Sequence, residues 1–314
     1  MIKHLKFILM TLSASLSYIV LPAQEQAFTL EAKRNDDQSV DFNYRKTDPG
    51  TYTVVVNFST LTNASRPGNS FTARDYNDKL FSLNPTAKDQ GISYNYSISY
   101  IRGKLNPKYD PNFVYLLPYK NETKVQIAEV SFLGAAYFGD TAPEDWKAYR
   151  FYTENQDTVT AIRKGIVVDI KDLYETSDDN KVTYTSKTNE LIMEHPDGTL
   201  ATYRGFKKGS FAVKVGETVF PGTPLALNSK YDTNGKYNIS IMISYLKSID
   251  FGNRPATLSK SKSFYGFVNP HFLTKDQKPE ILVPQKTYSV ASSLDAIQKE
   301  MTKKELKLRS SPKY

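Results

Sequence analysis

Apolar and polar residues alternate with a period of two over much of this chain. That is the signature of half-buried β-strands. Phe28, Leu30 and Ala32 alternate, as do Val40, Phe42 and Tyr44. After the turn Asp48-Pro49-Gly50 comes TYTVVVNFSTL, a strand with a continuous apolar middle. Tyr94, Tyr96, Ile98 and Tyr100 share one face, and the stretches Asn112 to Tyr119 and Lys124 to Leu133 read as further strands. No helical period of useful length interrupts them. Short strands with turn signals between them predict a β-sandwich over residues 27–135. The tyrosine face is either a sandwich core or a platform on which sugar rings could stack. Asn63 to Asp78, with Pro67, Gly68 and Asn69, reads as a long loop.

A second block of short β-runs spans Asp157 to Leu246. His195-Pro196-Asp197-Gly198 sits between two alternating runs and predicts a hairpin, with Gly198 taking the left-handed position. Val215-Gly216-Glu217 and Phe220-Pro221-Gly222 are two more tight turns. Turning this dense predicts a compact all-β, barrel-like core over 147–268, joined to the first unit by a linker from Gly134 to Trp146. In the closing run Ile239, Ile241, Ile243 and Tyr245 alternate with Ser240, Met242 and Ser244. A polar loop, Phe251 to Lys262, comes next, then a strand at Phe264 to Val268. Residues 269–314 read as an extension with short strands at Ile281 to Val283 and Thr287 to Val290. It ends in one helix over 293–307, capped by Ser292 or Ser293, and a basic tail.

Composition adds an address. Lys3 and Lys6 precede an apolar run from Phe7 to Leu21, and Pro22-Ala23-Gln24 offers a cleavage region, so residues 1–24 read as a secretory leader. The apolar run is short for a membrane span, and no stable span is expected once the leader is gone. The chain of 314 residues has no Cys, which points to the periplasm or surface of a bacterium rather than to a disulfide-stapled secreted protein. The formal charge is +8, and part of the surplus sits in the tail, in Lys299, Lys303, Lys304, Lys307, Arg309 and Lys313 against Glu300 and Glu305. Nucleic acid is therefore not expected as a partner.

The gapped glycines of the second block carry a resemblance. Val159, Ala161, Gly165 and Val167 fit a V-x-A-x-x-x-G-x-V run. His195, Asp197, Gly198 and Tyr203 fit H-x-D-G-x-x-x-x-Y. Val213, Gly216, Val219, Gly222 and Leu225 fit V-x-x-G-x-x-V-x-x-G-x-x-L. In this order they resemble the LytM-type, M23 family of zinc peptidases, which cut peptidoglycan cross-links on a duplicated hybrid motif. The resemblance implies zinc held by a His and an Asp ahead of the core and by a His of a closing H-x-H, with another His just after the hairpin tyrosine. Those positions fall on Trp146 and Arg150, on Asn238 and Ser240, and on Gly205. His195 is then a turn histidine. The old groove would comprise Trp146, Arg150, His195, Gly205, Asn238 and Ser240, packed by the aromatics of WKAYRFY.

A count of donors agrees. A catalytic zinc takes about three protein ligands and an open position. The histidines are His4, His195 and His271, and His4 lies in the leader. No Asp-x-Asp-x-Asp-Gly calcium loop is present, and Asp178-Asp179 reads as a solvated loop. No Gly-x-Ser-x-Gly elbow supports a serine nucleophile. The expectation is a catalytically inactive M23-like protein of the cell envelope, with no cofactor and no catalytic residue, binding peptidoglycan or a partner protein. An active peptidase with atypical ligands and a purely structural surface β-protein are the alternatives.

Overall fold

The computed structural model describes residues 27–131, 143–175, 187–232, 235–250, 263–276 and 278–310. The leader, most of the Gly134–Trp146 linker, Asp178-Asp179, the 251–262 loop and the last four residues of the tail lie outside the described residues.

The first strands are β1 (Phe28–Arg34), β2 (Val40–Lys46), β3 (Tyr52–Thr62), β4 (Ser70–Ala73), β5 (Asn77–Leu83) and β6 (Ser93–Arg102). They form two three-stranded sheets, β1-β2-β5 and β4-β3-β6. Period-two burial explains why the sheets meet face to face: in β2, Val40, Phe42, Tyr44 and Lys46 are buried while Asn43 and Arg45 are exposed. Phe28, Phe42, Val54, Phe58 and Leu83 fill the space between them. This is the expected sandwich. The tyrosine face belongs to its core, because Tyr94 and Tyr96 pack edge-on against Phe42 at 5.5 and 5.2 Å and the Tyr96 hydroxyl donates to the Leu30 carbonyl. The expected 63–78 loop instead contains β4 and the start of β5, since Ser70 to Ala73 pair with Tyr52 to Val55.

The remaining strands are β7 (Val114–Leu116), β8 (Lys124–Glu129), β9 (Ala148–Thr153), β10 (Thr158–Thr160), β11 (Gly165–Lys171), β12 (Asn189–Glu194), β13 (Leu200–Phe206), β14 (Thr218–Val219), β15 (Pro224–Leu227), β16 (Tyr237–Leu246), β17 (Tyr265–Phe267), β18 (His271–Leu273), β19 (Pro279–Glu280) and β20 (Thr287–Ser289). Their main sheet runs β14-β11-β12-β13-β16-β9-β8-β20, with β17 also paired to β16. Two further sheets, β10-β15 and β19-β18-β7, complete this half. Its core includes Tyr149, Phe151, Tyr203, Phe206, Ile239, Ile241 and Phe272.

Two expected boundaries shift. Two of the strands assigned to the sandwich, β7 and β8, hydrogen-bond elsewhere: β8 pairs with β9 and β20, and β7 runs parallel to β18. The extension after residue 268 is likewise built into these sheets through β18 and β20. Backbone donors and acceptors of a short strand must find partners wherever burial places them, and local alternation carries no information about which partner. The C-terminal helix is two helices, α1 (Leu294–Gln298) and α2 (Lys303–Ser310). Ser293 caps the first as expected. The break arises at Thr302, whose hydroxyl accepts from Glu305 N while the Glu305 carboxylate accepts from Thr302 N. This Thr-x-x-Glu capping box starts a new helix. Among the described residues no helix is long and apolar enough to cross a membrane.

One carboxylate ties the sandwich to the large sheet. Glu194, at the end of β12 and 7% exposed, accepts from Thr51 N at 2.6 Å and from the Thr51 hydroxyl at 2.5 Å. We expect Glu194→Ala to lower stability by about 3 kcal/mol in urea denaturation, since hydrogen bonds to charged groups contribute about 1.5–3 kcal/mol each and Thr51 N would be left buried without an acceptor.

Candidate functional site

Strand register brings three of the six expected groove residues together. On β16, Ile239, Ile241 and Ile243 face the core, so Asn238, Ser240 and Met242 face the other way. On β9 the same alternation sends Tyr149 and Phe151 inward and Arg150 and Tyr152 outward. Ser240 pairs with Arg150 on one side and with Arg204 of β13 on the other. Gly205 comes directly after Arg204.

The space above these residues is filled. The chain turns back after Ser229, whose backbone bridges to Asn238, and lays Tyr231 over Gly205. Gly205 has φ +111°, and a Cβ there would lie 2.1 Å from Cε1 of the Tyr231 ring. Only glycine leaves room for the ring and tolerates that backbone. The Tyr231 hydroxyl meets the Ser240 hydroxyl. The Arg150 guanidinium lies 5.2 Å from the Tyr231 ring centroid, donates from Nε to Ser240 Oγ at 3.3 Å and pairs from Nη1 with Asp232 Oδ2 at 2.9 Å. The same Asp232 oxygen accepts from the Tyr152 hydroxyl at 2.6 Å.

Electrostatics follow from this enclosure. Burial alone would lower the Arg150 pKa, but Tyr231, Tyr152 and Asp232 outweigh it and raise it further above its ordinary value. Burial raises the Tyr231 phenol, and burial followed by Asp232 raises that of Tyr152. At neutral pH Arg150 is thus a guanidinium, and Tyr231 and Tyr152 are neutral phenols. A divalent cation does not fit it. The only carboxylate is committed to Arg150 and Tyr152, and a fixed positive charge stands where ligands would converge. Among the described residues, no three His, Cys, Asp or Glu side chains group as a metal would require.

The other expected residues lie apart. Asn238 is fully buried, and its amide donates to the Lys236 carbonyl while Oδ1 has no partner. Trp146 does not fill the groove: it packs on Phe267 at 4.7 Å and donates to the Val130 carbonyl at 2.7 Å. Tyr149 and Phe151, also expected to pack the groove, are in the core instead.

His195 occupies a separate node, in the hairpin the sequence predicts, with Gly198 at φ +92°. Its Nδ1 donates to the Lys164 carbonyl at 2.8 Å, which leaves Nε2 as a buried lone pair with no partner. Beside it Arg163 is clamped by Asp197 at 2.7 Å and by two bonds to Glu300, with the Phe113 ring 3.7 Å away. Burial first, and then the Arg163 charge, push the His195 pKa down to about 3.

Tyr231 and Asp232 were not legible as site residues, because they read as a loop between strands. Gly205 in a strand interior was the available signal, since such a glycine often marks a close approach.

No protein-family model matches the chain, and no curated protein does. Among solved structures it is similar to the M23 metalloprotease pseudoalterin from a deep-sea source, at 14% identity over 42% of this chain and 70% of that one, with a TM-score of 0.29. A putative peptidase M23 from Pseudomonas aeruginosa matches at 11% identity over 60% and 86%, TM-score 0.27. A zinc-containing peptidase from Vibrio cholerae matches at 11% over 76% and 79%, TM-score 0.26. Likenesses this distant say nothing about activity.

Two outcomes are expected. Gly205→Ala should cost about 3 kcal/mol in denaturant unfolding, combining overpacking with a strained backbone, and the cost should shrink when Tyr231→Ala is added. For His195 the folded-state pKa lies below the unfolded one, so the unfolded chain takes up the proton first. Stability should fall as pH drops below about 6.5, by up to about 1.4 kcal/mol per pH unit. His195→Gln should flatten that slope between about pH 6.5 and 5.5, above the range in which most carboxylates titrate.

Proposed function

We propose that this chain is an exported, M23-peptidase-like envelope protein that binds or scaffolds cell-wall components or a partner protein and does not hydrolyse them. The supporting fold observation is a mostly β chain in which the His195–Gly198 hairpin of the resemblance joins β12 and β13, adjacent strands of the large sheet. The single observation that carries the reading is the Arg150–Asp232 pair, 2.9 Å apart beneath Tyr231. Hydrolysis in such a family needs a metal that activates water, and here the position expected for a ligand presents a guanidinium. Ser240 is no substitute nucleophile. Such a residue needs a base within hydrogen-bond reach, and its hydroxyl is engaged by Tyr231 and Arg150.

With the metal position closed, recognition remains as the role. Peptidoglycan is the polymer the resemblance names. Purified protein should co-sediment with peptidoglycan sacculi and release no soluble fragments from them, with or without added zinc. Fragment release that a chelator stops would sink the reading. Absence of co-sedimentation would leave a partner protein as the ligand, to be sought by cross-linking in cells.

A further inference from the structure

A cavity of about 630 Å³ lies between the β10–β15 edge and the C-terminal arm. This is within the size range of small-molecule sites, and it is separate from the Arg150 cluster. Its walls are of two kinds. Leu116, Phe220 and Ile297 contribute apolar surface, while Lys120 and Arg309 bring two positive charges. No acidic residue lines it, and neither cation makes an ion pair among the described residues. Two other cations beside the arm are matched: Arg163 by Asp197 and Glu300, Lys164 by Glu305. Thr160, 6% exposed, also lines the cavity, and its hydroxyl has no hydrogen-bond partner. A buried hydroxyl without a partner is costly.

We infer that this cavity binds an anionic amphiphile, a phosphate or carboxylate head on an apolar body, with Lys120 and Arg309 on the head and Phe220 and Ile297 along the body. The arm makes a suitable wall. No side chain of α1 is fully buried, and the arm is tied to the sheet just past the helix, where Glu300 accepts from Arg163 through its carboxylate and from Lys164 through its backbone carbonyl. Ile297 is thereby fixed over the cavity without being committed to the core. Arg309, from α2, reaches the opening from the same arm. A head group between the two cations would gain charge-assisted hydrogen bonds, and its apolar body would cover carbon surface now facing the void. The inference is independent of the reading of the Arg150 cluster.

The test is calorimetric titration of the full mature chain with octyl phosphate, inorganic phosphate and octyl glucoside. Octyl phosphate should bind saturably at one site. Inorganic phosphate, the head alone, and octyl glucoside, the same chain without charge, should each bind about tenfold more weakly or not at all, the loss expected when one charged contact or the apolar body is missing. Lys120→Ala and Arg309→Ala, both at exposed positions, should each weaken octyl phosphate by a similar factor, and Lys303→Ala on the same arm should not. Failure of the intact chain to bind octyl phosphate would overturn the inference. So would affinity that the Lys120→Ala/Arg309→Ala double variant leaves unchanged, or octyl glucoside binding as tightly as octyl phosphate. If inorganic phosphate alone matches octyl phosphate, the site is for a free anion and the amphiphile is wrong.

Discussion

A missing methyl group decides the chemistry of the groove. Gly205 sits in the interior of β13, where any side chain would meet the Tyr231 ring at 2.1 Å. Because that space is free, Tyr231 lies flat on the sheet, and the residue after it, Asp232, arrives within reach of Arg150. The ion pair is enclosed by Tyr152, Ser240 and the ring itself. A buried pair of this kind stabilises little against an apolar alternative, but it is expensive to break, because a lone charge would remain out of water. The groove is thus held shut by a network whose members depend on one another. Its geometry begins with a backbone position that only glycine can occupy.

The surrounding sheets are bound together by distant stretches of the chain. β7 and β8 precede the core in sequence, β18 and β20 come after it, and they meet each other or β9 along its edge. Such pairing closes long loops, and loop closure must be achieved before those contacts can contribute. The sandwich is different. Its six strands pair among themselves, and Glu194 accepting two hydrogen bonds from Thr51 is a polar link across to the large sheet. The two halves therefore have separate apolar cores joined by hydrogen bonds.

Charge organises the turn before β11 as it does the Arg150 cluster. Arg163 and Lys164 are adjacent in sequence and gather Asp197, Glu300 and Glu305 around the turn before β11. Hydrogen bonds from Lys164 first, and then from Thr302, hold the Glu305 carboxyl down at about 2. The arm that carries Glu300 and Glu305 buries no apolar side chain in α1. Ionic contacts from Arg163 and Lys164 help to set its position, with His195 kept neutral beneath them by burial and by Arg163.

Period-two alternation was enough to place most strands, because it is the burial pattern itself. The hairpin at His195, the cap at Ser293 and the turns at Gly216 and Gly222 were legible because each rests on the local preference of one or two residues. The Thr302–Glu305 capping box is equally local, and it divides the one expected helix into two. What lay beyond the sequence was partnership. That Lys124–Glu129 belongs with the large sheet, that Trp146 turns to Phe267, and that Tyr231 and Asp232 close on Gly205 and Arg150 are all contacts between residues far apart in the chain. Local sequence fixes which face of a strand is apolar, whereas which strand lies beside it is settled only when the whole chain has found partners for its buried surface and its backbone hydrogen bonds.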